Sequence, residues 1–292
     1  MEDRVRLFES HRPRMFGVAY RMLGTKADAE DVLQDAFLRW RTSDIDAVQS
    51  HEAWLVTIVT RLCLDRLRSA KRERETYVGP WLPEPIMTDH LASPELRLEL
   101  ANEVSVAFLA VLERLGPEKR AAFLLREVFD YDYPEIAHML GKSEAALRQM
   151  VHRAREEVRE ARPRFSVAAE TRERLLEKFI AAAASGDRAA VMALLSEDVE
   201  YVSDGGGKVV AALKVLRGPE RIGRLYYAIA RSYAGLAYRL VRVNGELGAV
   251  CVYQGSLFSI FSFRITGDRI AGIYVIRNPE KLAGIPVETL GV

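Results

Sequence analysis

The sequence predicts a multidomain protein with two all-α domains followed by an α+β domain built on one curved sheet. Three observations support this division. Helical spacing of apolar residues runs through most of the first 165 residues, where strand signals are few. The segment VGPWLPEP at Val78–Pro85 interrupts that period with turn-forming residues. After Thr171, two helical stretches precede short runs rich in β-branched and aromatic residues.

These breaks divide the chain into four predicted segments: 1–76 and 97–165 as helical domains, 77–96 as a linker, and 170–292 as the sheet domain. The predicted strands of the last segment are VEYVS, KVVAALKVL, LAYRLVRV, ELGAVCVYQ, LFSIFSFRIT and IAGIYVIRN. A helix at about Pro219–Tyr233 interrupts them. Helices followed by a meander of strands are typical of an α+β domain with a cone-shaped sheet.

Composition limits the classes of function. The chain has 292 residues and a net charge of only +1, so any surface for nucleic acid must be local. Residues 141–164 show a mild excess, with seven basic residues to four acidic ones. The two cysteines, Cys63 and Cys251, lie in apolar runs and indicate buried thiols rather than a metal site. We expect no cofactor. Without a signal peptide or a membrane-spanning stretch, the sequence predicts a cytoplasmic protein.

The helix predicted at Asp28–Trp40 has one broad apolar side and one acidic side. The acidic side carries Asp31, Gln34, Asp35 and Leu38. An exposed leucine among acidic residues suits protein docking, although an ordinary solvated face has the same pattern.

The next predicted helix, about Glu52–Arg72, carries an aromatic and basic stripe beside its core face. Trp54, Arg61, Arg68 and Arg72 fall within a narrow arc. Arginines that follow phosphates and a ring that stacks on a base suit single-stranded DNA. The alternative is a tryptophan at the edge of the core beside a solvated basic face. Arg66 points nearer the core and is expected to form an ion pair.

The stretch from Tyr133 to Arg159 predicts a helix-turn-helix. Pro134 suits a first helical turn, and Gly141 suits a helix end. In the second helix one apolar stripe comprises Leu147, Val151, Ala154 and Val158. The side chains expected to face DNA are Ser143, Arg148, Gln149, His152 and Arg153. An ordinary αα-hairpin with a charged face is the alternative.

In this order, the three motifs resemble bacterial sigma factors. DAEDVLQDAFLRW is similar to the polymerase-binding helix of region 2, and HEAWLVTIVTRLCLDRLRSAKR to the −10-element helix. Residues 112–160 are similar to region 4. Regions 1 and 3 are missing, which is the layout of the extracytoplasmic-function (ECF) group. Residues 171–292 resemble a SnoaL/NTF2-like domain, which one sigma-J-like subgroup carries as a fused extension.

Three further motifs are hallmarks of that subgroup. They stand here as Trp81, Leu82, Pro83, Glu84 and Pro85 (WLPEP); Asp204, Gly205, Gly206, Gly207 and Lys208 (DGGGK); and Asn278, Pro279, Glu280, Lys281 and Leu282 (NPDKL). Glu280 replaces the aspartate of the last motif. The resemblance implies that these residues regulate through contacts between domains.

The resemblance also implies partners and roles. Asp31, Gln34, Asp35 and Leu38 would bind the β′ clamp coiled coil of core RNA polymerase, whose β flap is a second partner. Trp54, Arg61, Arg68 and Arg72 would serve at the −10 promoter element. Ser143, Arg148, Gln149, His152 and Arg153 would read the −35 element. No membrane partner is expected.

For the C-terminal domain, an enzyme and a regulator are the competing interpretations. No histidine follows His152, which removes the histidine–aspartate acid/base pairs of some SnoaL-like enzymes. We therefore expect a regulator that is not an enzyme, with a possible small-molecule ligand. The side chains that could line a pocket are Tyr201, Tyr226, Tyr227, Tyr253 and Phe261. A one-component transcription regulator, or an enzyme with a DNA-binding region, remains the alternative for the whole chain.

Overall fold

The computed structural model describes residues 2–44, 48, 50–91, 93–100, 105–159, 168–285 and 287. The chain forms two compact units. The helical unit comprises Met1–Glu75, Ala92–Val104 and Phe108–Arg162. The sheet unit comprises Thr76–Leu91, Ser105–Ala107 and Pro163–Val292. Most of the predicted linker therefore belongs to the same compact unit as the C-terminal sheet.

The helical unit begins with three long helices that pack against one another. They are α1 (Glu2–Leu23), α2 (Lys26–Thr42) and α3 (His51–Glu75). Trp40 lies in their core with no exposed surface, and its indole Nε1 donates a hydrogen bond to the Arg4 carbonyl at 2.9 Å. A buried tryptophan needs such a partner for its N–H group.

Five shorter helices follow: α4 (Pro94–Glu99), α5 (Val106–Leu112), α6 (Pro117–Glu127), α7 (Tyr133–Leu140) and α8 (Glu144–Arg159). Local sequence explains the ends of α7. Asp132 and Glu135 form a reciprocal capping box at its start. Gly141 ends it with φ +64°, a left-handed conformation that glycine adopts without strain. The predicted helix-turn-helix is therefore present.

Buried arginines join the early and late helices of this unit. Arg120 of α6 donates to the Met22 carbonyl and to the Glu113 carboxylate, both at 2.6 Å. Arg21 of α1 donates to the Glu99 carbonyl at 2.8 Å. Both guanidinium groups are almost fully buried. Charged groups persist inside a protein only when they are paired in this way.

The sheet unit contains helices α9 (Ala169–Ser185), α10 (Arg188–Ala193), α11 (Pro219–Ser232) and α12 (Pro279–Leu282). Its strands are β1 (Leu195–Asp204), β2 (Leu216–Arg217), β3 (Ala237–Val243), β4 (Glu246–Tyr253), β5 (Ser256–Thr266) and β6 (Arg269–Ile276). They form one sheet in the order β2-β1-β6-β5-β4-β3, with only the β1–β6 pair parallel. Phe179 of α9 and Tyr226 of α11 pack on Phe263 and Tyr201 of the sheet.

The prediction of a strand at KVVAALKVL is wrong for most of that segment. Only Leu216 and Arg217 pair with β1, and the preceding segment is irregular. Val210 and Leu213 in that segment are 79% and 64% exposed. The apolar run therefore marks an exposed loop rather than a core strand. The glycine-rich turn after β1 also leads into this loop, so it is not a hairpin turn between two strands.

Candidate polymerase, promoter and linker surfaces

The acidic side of α2 is an exposed surface. Asp31, Gln34, Asp35 and Leu38 all lie on it, and Leu38 is 58% exposed. The opposite side packs inward, where Phe37 contacts Phe8 edge-to-face at 5.0 Å between ring centroids. The helix is thus fixed by its apolar side and presents an unburied leucine within an acidic surface.

Arg66 of α3 is an ion-pair partner, as the sequence predicts. Its guanidinium lies 2.9 Å from the Asp28 carboxylate and 3.1 Å from that of Asp31. The hydrogen bond with Asp28 raises the pKa of Arg66. This contact orients one acidic side chain of the α2 surface, although all three groups remain partly exposed.

The predicted −10 stripe on α3 divides into two parts. Trp54 is half-buried and packs on Trp40, with 5.6 Å between the ring centroids. Arg61 donates to the carbonyls of Met139 and His138, at 3.0 Å and 3.3 Å. These carbonyls belong to the last turn of α7, which attracts cations.

The second exposed arginine of the stripe is also paired within the helical unit. Arg68 lies 3.3 Å from Asp65 on its own helix and 3.3 Å from Glu118 of α6. The side chain of Arg72 lies outside the described residues. In this arrangement, residues of α6 and α7 contact both described arginines of the stripe.

A groove of about 760 Å³ separates α3 from α7. Trp54 and Arg61 line one wall, and Pro134 and His138 line the other. Arg61 reaches across the groove to α7, yet its side chain remains exposed.

Helix α8 presents the side chains expected at the −35 element. Leu147, Val151, Ala154 and Val158 are buried, which confirms the predicted apolar stripe. The opposite residues Arg148, Gln149, His152 and Arg153 are exposed, and so is Ser143 before the helix. The Ser143 hydroxyl accepts a hydrogen bond from the Ala146 N–H at 3.3 Å, which caps the helix.

Arg148 is positioned by two neighbours on its own surface. It donates to Glu144 at 2.8 Å, and its guanidinium lies 4.4 Å from the ring centroid of Tyr133. His152 lies 3.7 Å from Glu156. These contacts are solvent-exposed, so a phosphate or a base edge can replace them at small cost.

In the sheet unit, a buried carboxylate binds the linker. Asp204, at the end of β1, has no exposed surface. Its oxygens accept hydrogen bonds from the Tyr77 hydroxyl at 2.6 Å and from the Leu82 N–H at 2.8 Å. Lys281 lies 2.7 Å from the same carboxylate. We call Asp204, Asn278, Lys281, Tyr77 and Leu82 the linker clamp.

The other members of the linker clamp complete the network. Lys281 also donates to the Leu82 carbonyl and lies 4.1 Å from the ring centroid of Trp81. Asn278 donates to the Tyr77 hydroxyl at 2.9 Å. Burial, followed by the hydrogen bond with Asp204, raises the pKa of Tyr77. The tyrosine therefore stays a neutral donor.

The glycines of the DGGGK motif permit this close approach. Gly206 has φ +59°, and a Cβ atom there would lie 2.4 Å from the Asn278 amide nitrogen. At Gly207, with φ +71°, it would lie 3.0 Å from Val78. Gly205 has no room either, because a Cβ atom would meet Ala211 at 2.7 Å. A larger residue would displace Asn278 at position 206, the linker at position 207 and the following loop at position 205.

A second contact holds the linker further along. Ile86 and Asn244 exchange two hydrogen bonds of 2.8 Å, one to the Asn244 side chain and one from its backbone N–H. The Thr88 hydroxyl accepts from Gly245 at 3.1 Å. Within the linker, Pro83 and Pro85 are buried and Glu84 is half-buried. Beside the clamp, Lys208 pairs with Glu280, which follows Pro279. The linker is thus bound from Tyr77 to Thr88.

Sequence reasoning missed Tyr77 and Asn244 as linker partners. Tyr77 lies just before the WLPEP motif, and its hydroxyl suits a buried carboxylate. Asn244 has φ +52°, which an Asn-Gly turn accommodates. The Asn-Gly dipeptide predicts the hairpin turn, whereas nothing in the local sequence shows that its amide reaches residue 86.

The sheet unit also encloses a cavity of about 360 Å³. Of the predicted lining residues, Tyr201, Tyr226 and Phe261 contribute to its wall. Tyr227 is instead 46% exposed, and Tyr253 packs on Tyr233 beside the cavity. The prediction was therefore wrong for Tyr227 and Tyr253. It also missed Arg277 and Tyr238, which line the cavity from β6's end and from β3.

Comparison with known proteins identifies both parts of the helical unit. Residues 7–73 match the model of Sigma-70 region 2, and residues 105–158 match that of Sigma-70, region 4. The pair of regions defines the class of protein: a factor for promoter recognition by RNA polymerase. None of the described helices is long and apolar enough to cross a membrane.

Full-length relatives place the family more narrowly. The chain is 40% identical to ECF RNA polymerase sigma factor SigJ of Mycobacterium tuberculosis (strain ATCC 25618 / H37Rv), covering 96% of this chain and 94% of the relative. It is 30% identical to the probable ECF sigma factor SigI of M. tuberculosis (strain CDC 1551 / Oshkosh), covering 97% and 96%. The crystal structure of M. tuberculosis SigJ matches with a TM-score of 0.80 and 36% identity, over 97% of this chain and 99% of that one. The chain belongs to the ECF family of RNA polymerase sigma factors.

Proposed function

We propose that the sheet unit modulates this sigma factor in cis by holding the linker between regions 2 and 4. The observation that carries the proposal is the fully buried Asp204, whose carboxylate accepts hydrogen bonds from linker residues and from Lys281. In this proposal the linker clamp replaces a separate inhibitory protein, and promoter recognition by regions 2 and 4 is its target.

The reach of the linker explains how the clamp acts. An extended chain spans about 3.3–3.6 Å per residue, so the twelve residues from Tyr77 to Thr88 could contribute about 40 Å when free. Bound to the sheet unit, these residues are not free to move. The connection between regions 2 and 4 is then held from Tyr77 to Thr88.

The contacts of Arg61 suggest whether the clamp lowers or raises promoter recognition. In the helical unit this −10 arginine binds carbonyls of α7 in region 4. Separation of regions 2 and 4 would release the Arg61 guanidinium from these carbonyls, and a free linker would permit that separation. We therefore propose that the clamp favours the form in which Arg61 is bound to α7.

The proposed DNA and polymerase contacts follow from exposure. Arg61, Arg68, Arg72 and Trp54 would serve the −10 element, where melting requires bases to leave the stack. Ser143, Arg148, Gln149, His152 and Arg153 would serve the −35 element, since a recognition helix places its exposed N-terminal side in the major groove. Asp31, Gln34, Asp35 and Leu38 would dock on the β′ clamp coiled coil, and region 4 on the β flap.

In vitro transcription with purified core polymerase tests the proposal in the full chain. Tyr77→Phe removes the hydroxyl that contacts Asp204 and Asn278 but keeps the ring. Tyr227→Phe is the matched control, because its hydroxyl is at the surface and contacts only Arg231 among described residues. We expect Tyr77→Phe to raise promoter output about 3-fold or more, and the control to leave it unchanged.

A genomic promoter library separates failure of the clamp from failure of the sigma function. Equal output from wild type, Tyr77→Phe and a chain ending near Phe165 would refute cis modulation while leaving promoter recognition intact. Lower output from Tyr77→Phe would instead reverse the proposed sign.

A further inference from the structure

The cavity of the sheet unit has the size and lining of a small-molecule site. Its volume of about 360 Å³ lies near the lower end of the usual range for ligand pockets. Tyr201, Tyr226 and Phe261 form apolar walls, and Val210 lies at the mouth because it is 79% exposed. The described lining includes no aspartate and no glutamate.

Arg277 makes the cavity electropositive. Its guanidinium lies 4.0 Å from the ring centroid of Phe258 and donates to the Val210 carbonyl. Among the described residues, no carboxylate lies within ion-pair distance of it, and its buried Nε has no hydrogen-bond partner. A partly buried charge beside apolar walls, without a counter-charge within ion-pair distance, attracts an anion.

The other ionisable groups of the cavity wall do not neutralise this charge. Burial raises the pKa of Tyr201 and of Tyr238, while Arg277 opposes the shift in both. Burial likewise raises the pKa of nearby Cys251 to about 11, with Arg277 again opposing. All three groups are therefore neutral at physiological pH, and the cavity keeps the positive charge of Arg277.

Tyr226 supplies a second unpaired polar group. The residue is 1% exposed, and its hydroxyl has no hydrogen-bond partner among the described residues. Burial raises its pKa, so it is a donor rather than an anion. A buried hydroxyl without a partner is destabilising, and a ligand acceptor would remove that cost.

We propose that this cavity binds a small organic acid with a compact aromatic or alicyclic body. The carboxylate lies against Arg277, and the body packs on Tyr201, Tyr226 and Phe261.

The cavity is directly connected to the linker clamp. The backbone N–H groups of Arg277 and Asn278 donate to the Asp204 carbonyl at 2.7 Å and 2.9 Å. Arg277 also holds the Val210 carbonyl, in the loop that follows DGGGK. A ligand that draws the guanidinium inward alters the support of both Asp204 and Asn278. The coupling of ligand binding to transcription rests on the proposed function of the clamp. Binding of the acid in the cavity does not.

Calorimetry with the full-length protein and three probes tests the site. The probes are 2-naphthoate, its neutral methyl ester and the cationic 2-naphthylmethylamine. We expect 2-naphthoate to bind about 10-fold or more tightly than the ester, as a charge-assisted hydrogen bond predicts, and the amine not to bind. Equal affinity for the three, or no binding of 2-naphthoate at roughly 1 mM, overturns the proposal.

Two arginine variants locate the binding. Arg277→Gln should reduce 2-naphthoate affinity about 10-fold and leave ester affinity unchanged. Arg264→Gln is the matched control, since Arg264 donates to the Ala271 carbonyl and is outside the cavity lining. Equal losses of 2-naphthoate affinity in the two variants would place the bound acid outside this cavity. Tyr226→Phe should weaken 2-naphthoate binding a few-fold without lowering the melting temperature, because the hydroxyl that it removes has no partner in the described residues.

Transcription in the presence of 2-naphthoate separates the site from its coupling. An effect on wild type that disappears in Tyr77→Phe, with binding retained, supports coupling through the clamp. Binding without any effect on wild-type transcription overturns the coupling and leaves the ligand site standing.

Discussion

The candidate DNA surfaces of the helical unit and the linker clamp of the sheet unit use charge in opposite ways. On the helical unit, Arg148 pairs with Glu144 and Arg68 with Glu118, and all four side chains are 42–59% exposed. In the sheet unit, Lys281 pairs with Asp204, and their side chains are 10% and 0% exposed. The same kind of pair is therefore exchangeable on the candidate DNA surfaces and fixed in the linker clamp, as it is for the buried pairs Arg21–Glu99 and Arg120–Glu113.

This difference follows from solvation. Water stabilises both separated ions at the surface, so DNA phosphates can replace a carboxylate partner with little loss. In the interior, a separated ion has no such alternative, and the network persists unless a whole segment is released. Exposed charged side chains of the helical unit suit reversible binding. Those of the linker clamp suit an attachment in which the linker is either fully bound or fully released.

The largest effect is expected from breaking the buried pair. Asp204→Asn leaves Lys281 charged without its carboxylate, and we expect a loss of about 3 kcal/mol in the free energy of unfolding. Urea denaturation of the full chain measures it. Glu197→Gln, an exposed carboxylate on the same strand, should change stability by less than about 0.5 kcal/mol.

A double-mutant cycle sharpens this expectation. Adding Lys281→Met to Asp204→Asn removes the stranded charge, so stability should recover in part. Additive losses from the two substitutions would contradict a direct interaction between the two residues.

The second effect concerns the exposed arginine of α8. Arg148→Ala should weaken binding to a −35 duplex by about 1–3 kcal/mol and reduce the salt dependence, while the fold is retained. Fluorescence anisotropy at several salt concentrations measures this. Arg174→Ala, an exposed arginine on α9, removes the same charge away from the recognition helix. Equal losses from both would indicate only a general charge effect.

A third, smaller effect is expected at the α2 surface. Leu38→Ala should weaken core polymerase binding about 5-fold or more, because a docked leucine loses its apolar contact. Stability should change little, since the side chain is 58% exposed. Leu98→Ala is the control, as Leu98 of α4 is 74% exposed. Pull-down titration with core polymerase gives the comparison; unaltered binding would remove Leu38 from the docking surface.

The smallest effect is expected for a surface pair. Arg66→Gln breaks contacts to Asp28 and Asp31, yet the three side chains are 31–54% exposed. We expect a loss of about 0–1 kcal/mol that shrinks in high salt. Denaturation at two salt concentrations measures it. A loss of unfolding free energy as large as that of Asp204→Asn would contradict the contrast between exposed pairs and the linker clamp.

Sequence patterns were most informative where structure is local. The period of α8, the Pro134 start of α7 and the Gly141 end are all present, since each depends on residues within one or two turns. The motif order also predicted the family. The strand predicted after DGGGK was wrong because β-propensity says nothing about whether a neighbouring strand is available for pairing.

For the candidate surfaces, the sequence predicted which side of a helix is exposed but not which partners its side chains contact. The exposed sides of α2 and α8 follow from periodicity alone, because a helix that buries one side exposes the other. Trp54 and Arg61 share an arc in the sequence pattern, but the fold places one on Trp40 and the other on α7. Periodicity assigns a side chain to a side of its helix and cannot identify its partner.

By itself, the sequence determined the buried and exposed sides of α2 and α8, the ends of α7 and the family to which the chain belongs. Only the tertiary structure decided that Asp204 is buried, that Tyr77 and Lys281 meet it, and that Arg277 faces a cavity without a counter-charge. Helix formation depends on neighbours along the chain. Burial of a charge depends on residues that are 77 to 127 positions apart, which only folding brings together.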